Sequence, residues 1–232
     1  MKRLILFDID GTILSTGGAA MRAFARAMVE VYGTAGPIST HSFGGKTDPQ
    51  IARELLQRAG FDDADIDRGL AALWETYLRE LRLELGRSDH RTRVLPGITA
   101  LIGALAARRD DVVLGLLTGN IEAGATLKLS SAGLDRSFRL GAYGSDDERR
   151  DQLPGIAVVR ARAATGVHFR GKDIVVIGDT PNDVTCGRAL GVHAIAVATG
   201  SFGAAELHDA GADHVFDDLA DTATVLGALL NA

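Results

Sequence analysis

Four short apolar runs, at residues 4–7, 112–117, 174–177 and 194–198, constrain the fold of this chain more than any other feature. None alternates apolar with polar residues, so each reads as a strand covered on both faces, as strands of a parallel sheet are. Helical patterns lie between them. Ile98, Leu101, Ile102 and Leu105 mark one helix, with Pro96 near its start. Residues 121–132 predict a second, with Asn120 a candidate cap, and 153–165 a third. A fourth begins near Pro181 and ends by Gly191. This alternation of strand and helix implies an α/β fold, a doubly wound parallel sheet.

Residues 17–94 break that rhythm and hold no convincing buried strand. Helical spacing takes over instead, in Ala20, Phe24, Ala27, Met28 and Val31, then in Ile66, Leu70, Leu73, Tyr77, Leu81 and Leu85. The segment is bounded by Gly17-Gly18 and by Leu95-Pro96-Gly97, residue types that suit a hinge and equally an ordinary loop. The expected organisation is a core of 1–16 and 95–232 with an inserted α-helical cap at 17–94.

Composition narrows the function. The 232 residues are 46% hydrophobic, enough for a substantial core, and the net charge is −5. No Lys/Arg stripe would replace phosphate counterions, which argues against nucleic acid as a partner. A single cysteine, Cys186, leaves no internal disulfide framework and fits a reducing cytoplasm. Met1-Lys2-Arg3 precedes only four apolar residues, too few for an export signal, and no apolar run is long enough for a membrane span. A cytoplasmic protein is expected.

The polar residues gather at the strand ends. The first strand runs into Asp8-Ile9-Asp10-Gly11-Thr12, the second into Thr118-Gly119-Asn120, and the third into Gly178-Asp179-Thr180-Pro181-Asn182-Asp183. In open α/β sheets, ligands bind beyond the carboxyl ends of the strands, so these residues should meet at one edge. Two close carboxylates repel and raise each other's pKa, which makes Asp8 and Asp10 costly as decoration. A divalent cation, or a reaction using one as nucleophile and the other as acid, would account for them. Plainer readings stand beside these. Asp8 and Asp10 could form an acidic turn, Thr118 could simply end a strand, Asn120 and Asp183 could cap helices, and Cys186 could be a small core residue.

In order and spacing these motifs resemble the haloacid dehalogenase-like hydrolase superfamily. Asp8-Ile9-Asp10-Gly11-Thr12 is similar to its first motif, Thr118 to its second, and the 178–183 segment to its fourth. The inserted segment resembles the helical cap of the phosphoglycolate phosphatase-like branch, and Phe43-Gly44-Gly45-Lys46-Thr47-Asp48 resembles a cap loop that faces the substrate. The resemblance implies a Mg²⁺-dependent phosphatase for a small phosphorylated metabolite. Asp8 would attack phosphorus and form an aspartyl-phosphate, and Asp10 would protonate the leaving oxygen and then activate water. Mg²⁺ would be held by Asp8, the Asp10 carbonyl and Asp179, with Asp183 orienting that shell. Thr118 and the helix N-terminus after Asn120 would hold phosphoryl oxygens, with Gly11, Thr12, Lys46, Gly119 and Asn120 against the substrate.

The third motif of the superfamily, a basic residue before the fourth, departs from its usual Lys-Pro form. Arg149 and Arg150 stand in that region, and Arg150 is favoured because it lies a turn before the predicted helix. Lys128 competes from inside the helix after the second motif, and both arginines could simply be solvated. Two other functions fit the same residues: a phosphosugar mutase, and a regulatory protein that binds phosphate without turnover. A cap of this size favours a compact leaving group, phosphoglycolate or a phosphosugar, and the residues leave the oligomeric state open.

Overall fold

In the computed structural model, which describes residues 2–231, the apolar runs do become parallel strands. Met1 lies outside the described residues. The chain opens with β1 (Arg3–Phe7) and the two-residue β2 (Leu14–Ser15), then enters three helices, α1 (Ala19–Tyr32), α2 (Asp48–Arg58) and α3 (Asp63–Leu85). It returns through β3 (Arg93–Val94) to α4 (Ile98–Ala106), β4 (Val112–Thr118), α5 (Glu122–Ser131) and β5 (Leu140–Tyr143). The last part runs α6 (Leu153–Thr165), β6 (Ile174–Gly178), α7 (Pro181–Cys186), β7 (His193–Val197), α8 (Ala204–Asp209), β8 (His214–Phe216) and α9 (Thr222–Leu230).

Six strands form one parallel sheet in the order β5-β4-β1-β6-β7-β8. Both faces are covered, which is why the runs lack polar alternation. Ile5, Phe7, Leu114, Leu116, Val175 and Ile177 face α4 and α9 through Leu101, Leu105, Val225 and Leu229. Leu4, Leu6, Val113 and Val176 face Leu153, Ala157 and Ala161 of α6 on the other side. A fully buried Leu, Ile or Phe in such a core contributes roughly 1.5–3 kcal/mol relative to exposure.

The 17–94 segment builds a separate apolar cluster. Phe24 and Met28 of α1, Leu55 and Leu56 of α2, and Ile66, Leu73, Tyr77 and Leu81 of α3 pack together, with Ile121 from the sheet side joining them. β2 pairs antiparallel with β3 (Leu14 opposite Val94, Ser15 opposite Arg93), so the segment leaves and re-enters the core side by side.

The expected strand at 194–198 lies one residue earlier, and the two edge strands β5 and β8 carry no signal of their own. β5 contains Gly141 and Ala142, and β8 has three residues, too few for a pattern. Among the described residues no helix is long and apolar enough to cross a membrane.

Candidate active site

Strand order and register bring the site together. β1 lies between β4 and β6, with Phe7 paired to Leu116 on one side and to Ile177 on the other. The next residue, Asp8, therefore emerges beside Leu117 and Gly178, and its N–H donates to the Ile177 carbonyl (2.9 Å). Three strands end together, and Asp8, Thr118 and Asp179 meet at the edge where the sheet's winding reverses.

Asp8 is buried, 7% exposed, and shares its surroundings with two more buried carboxylates, Asp179 and Asp183. Ligand oxygens of the three lie within 4.8 Å of one another. Burial raises the Asp8 pKa to about 7, with Asp183 adding to the rise and Arg150 opposing it. Burial likewise raises Asp179 to about 8, with Asp8 the next contributor. A cluster that costly in its ionised form, with oxygen donors alone, fits a hard divalent cation such as Mg²⁺.

Among the described residues, Arg150 is the one cation in direct contact with the cluster. Its Nη2 donates to Asp8 Oδ1 (3.2 Å) and to Asp183, while its buried Nε has no protein acceptor. Burial works against its charge, but Asp183 and Asp8 outweigh it and raise its pKa further. Arg149 points elsewhere, 70% exposed, with Asp147 at 4.0 Å. Asp183 also closes a capping box at the start of α7. Its carboxylate accepts from the Thr180 N–H (3.0 Å) and hydroxyl (2.6 Å), and Thr180 accepts from the Asp183 N–H. The capping and site readings of Asp183 describe the same side chain.

Asp10 is differently placed. Its carboxylate is 43% exposed and accepts from Lys128 Nζ (2.6 Å) and Asn120 Nδ2 (2.8 Å). Lys128, one turn from the end of α5, is buried and also donates to Asn120 Oδ1 (2.5 Å). Both basic candidates thus reach the site, Arg150 at Asp8 and Lys128 at Asp10. Asn120 is not the cap of α5. That position is Ile121, without a side-chain bond, while Asn120 links Asp10 to Thr118 Oγ1 (2.7 Å).

The α5 N-terminus departs from its expected role with phosphoryl oxygens. Its Ile121 N–H donates to Asp48 Oδ2 (2.9 Å) and its Glu122 N–H to Ser145 Oγ (3.1 Å). Those amides fasten loops, above all the 43–48 loop, whose Asp48 N–H also donates to the Gly119 carbonyl (2.7 Å). Burial pushes Asp48 up to about 6, with Lys128 pulling against it. The backbones come so close that a Cβ on Gly119 would sit 2.0 Å from the Lys46 carbonyl oxygen. Gly11 is constrained for another reason. It has φ +82° and a Cβ there would strike the Asp179 carboxylate at 2.3 Å, while Thr12 Oγ1 donates to Asp179 (3.1 Å).

A cavity of about 400 Å³ joins these groups. Asp8, Asp10, Asp179, Arg150 and Lys128 form its core side, and Met21, Phe24, Phe43 and Lys46 its α1–α2 side. Asp48, at the end of the substrate-facing loop expected from the sequence, also lines it, as do Tyr77, Gly200 and Ser201, which reading the motifs alone passes over. For Gly200 and Ser201 the signal was present: they follow β7, where the strand-end rule applies as it does at Asp8. Neighbouring Thr199 donates to the Gly11 carbonyl (2.5 Å). Cys186 packs in the apolar cluster with Leu4 and Val176, and burial pushes its thiol up to about 12, as befits a core residue.

Comparison with known proteins adds to this geometry. A family model described as haloacid dehalogenase-like hydrolase matches residues 5–197. A phosphoglycolate phosphatase of Chromobacterium violaceum is 27% identical over 223 residues, covering 94% of each chain. The 2-deoxyglucose-6-phosphate phosphatase 1 of Saccharomyces cerevisiae is 27% identical over 96% of this chain and 90% of its own. A hydrolase structure from Pseudomonas syringae superposes with a TM-score of 0.72 at 20% identity, covering 97% and 98% of the two chains, a likeness of fold.

Proposed function

The chain belongs to the haloacid dehalogenase-like hydrolase family, and from that premise we propose that it is a Mg²⁺-dependent phosphatase of a small phosphate monoester. The observation that carries the reading is the pairing of a buried, Arg150-bound Asp8 with a more exposed Asp10 held by Lys128 and Asn120. One carboxylate suits attack and the other proton transfer. Relatives named for phosphoglycolate and for 2-deoxyglucose 6-phosphate support small phosphorylated metabolites as the substrate class.

In the proposed reaction an Asp8 carboxylate oxygen forms a bond to phosphorus as the bond from phosphorus to the leaving oxygen breaks. Asp10 gives its proton to that oxygen, so the first product leaves as an alcohol. Asp10 then takes a proton from water as the water oxygen attacks phosphorus, which frees inorganic phosphate and restores Asp8. Arg150 holds Asp8 in place and balances charge at the cluster, and Lys128 with Asn120 orients Asp10. Asp8 and Asp179, with the Asp10 carbonyl, would hold Mg²⁺, and Asp183 would orient them. When bound, the cation neutralises charge on the transferring phosphoryl group. Gly11, Thr12, Thr118, Gly119 and Asn120 would surround the phosphoryl group, and Lys46 would face the leaving group.

Residues 17–94 serve, on this reading, as a cap over the core of 1–16 and 95–232. The lone cysteine, a buried free thiol, supports work in a reducing compartment such as the cytoplasm.

Phosphate release from a panel of small esters, with Mg²⁺ and with EDTA, tests the proposal. Chelator-sensitive release is expected. An isomerised sugar phosphate in place of free phosphate would make the protein a mutase, and neither product would leave it a binding protein.

A further inference from the structure

The cap side of the cavity offers one cation to a substrate, Lys46, and that cation already has an anion. Lys46 Nζ meets Glu54 Oε2 at 2.5 Å. Glu54 sits two turns into α2, and Gln50 holds it there. Gln50 Nε2 donates to its Oε1 (2.8 Å), while His41 Nε2 lies 3.4 Å from its Oε2 without a hydrogen bond. The Lys46 and Glu54 side chains are 21% and 29% exposed, shielded enough for the pair to hold against water.

The other cations of the wall are engaged in the same way, Arg150 by Asp8 and Asp183, and Lys128 by Asp10. On the same side as Lys46 the wall is otherwise apolar at Met21, Phe24 and Phe43. Asp48 brings its own carboxylate to the lining, which Glu54 does not reach. A phosphate can be met at the core side of the cavity. A second anionic group on the leaving portion, such as a carboxylate, would meet a lysine already paired with Glu54 and the Asp48 carboxylate.

Resting on the phosphatase reading, we propose that Glu54 is a specificity-determining residue. By neutralising Lys46 it selects esters whose leaving group is an uncharged hydroxy compound over those whose leaving group carries a carboxylate. Glu54 acts through Lys46 and is a positioning residue. Its effect is read as a ratio between two substrates, which a loss of folded protein does not change.

The test compares kcat/KM for phosphoglycolate with that for glycerol 2-phosphate and a hexose 6-phosphate, all measured on the same preparations. The native protein is expected to favour the better neutral ester by about tenfold or more. Glu54→Gln releases Lys46 and should narrow that ratio by about three- to tenfold, chiefly through a lower KM for phosphoglycolate. Lys46→Met leaves the Glu54 carboxylate without its counter-ion and should keep the ratio at or above its native value. Phosphoglycolate hydrolysed as well as the neutral esters would overturn the inference. So would an unchanged ratio in Glu54→Gln, or a ratio narrowed in Lys46→Met. Hydrolysis of no ester would instead overturn the phosphatase reading, and this inference with it.

Discussion

Arg150 stands between Asp8 and Asp183, where an uncompensated carboxylate would be expensive. Arg150→Ala should therefore lower kcat/KM by about 100-fold or more, with Arg150→Lys recovering part of the loss because it keeps the charge without the planar fork. Arg149→Ala should stay within about twofold, since that side chain is 70% exposed and pairs with Asp147 at 4.0 Å, away from the carboxylate cluster. Steady-state kinetics of the three variants decide the matter, and a larger loss at Arg149 would contradict it. The sequence spoke clearly at this scale for Asp8, Asp10 and Asp179, because each follows a buried strand directly. It spoke ambiguously for Arg150 and Lys128. Each lies remote from the carboxylates along the chain, and only packing tells which basic side chain turns inward. Asp48 was legible as part of the substrate-facing loop, but its partner, the Ile121 amide 73 residues away, had no legible signal.

Thr47 ties two elements together at the entrance to α2. Its hydroxyl accepts from the Gln50 N–H (3.2 Å) as a helix cap and donates to the Glu148 carbonyl (2.6 Å), in the segment that leads to Arg150. Arg53, one turn further along α2, binds the Glu148 carboxylate as well (3.0 Å). Thr47→Ala should cost about 1 kcal/mol for the lost cap and lower the melting temperature by about 2–4 °C. A thermal melt unchanged by the substitution would show that the cap carries no load. Elements with a full turn of periodic apolar residues were legible: α6 spans Leu153–Thr165, where the pattern put it. The ribbon of β2 and β3 was not, because two residues cannot display a period.

Across the molecule, the unlike environments of its carboxylates set how it responds to pH. Asp8 and Asp179 hold protons in the folded, metal-free protein up to about pH 7 and about pH 8, whereas in the unfolded chain they release them near the ordinary aspartate value of 3.8. Between those limits the folded state binds more protons than the unfolded one, so their contribution to stability falls as pH rises. A cation must displace those protons, and its binding tightens over the same range. The rise in melting temperature caused by Mg²⁺ should thus be larger at about pH 8.5 than at about pH 6. An equal or smaller rise at the higher pH would contradict the cluster as the metal site. The doubly wound sheet itself could be read from the sequence because both faces are buried and the apolar runs are uninterrupted. Strand order could not, because all the central strands carry the same apolar pattern.

The most direct test of the account compares phosphate release by the native protein and by Asp8→Asn, each with Mg²⁺ and with EDTA, alongside thermal melts. The account predicts release that EDTA abolishes, less than about 1% of it in the variant, and a variant that melts no lower than the native protein in EDTA because one clustered charge is gone. Activity above about 1% in a folded Asp8→Asn, or release indifferent to the chelator, would contradict Asp8 as the nucleophile of a metal-dependent phosphatase.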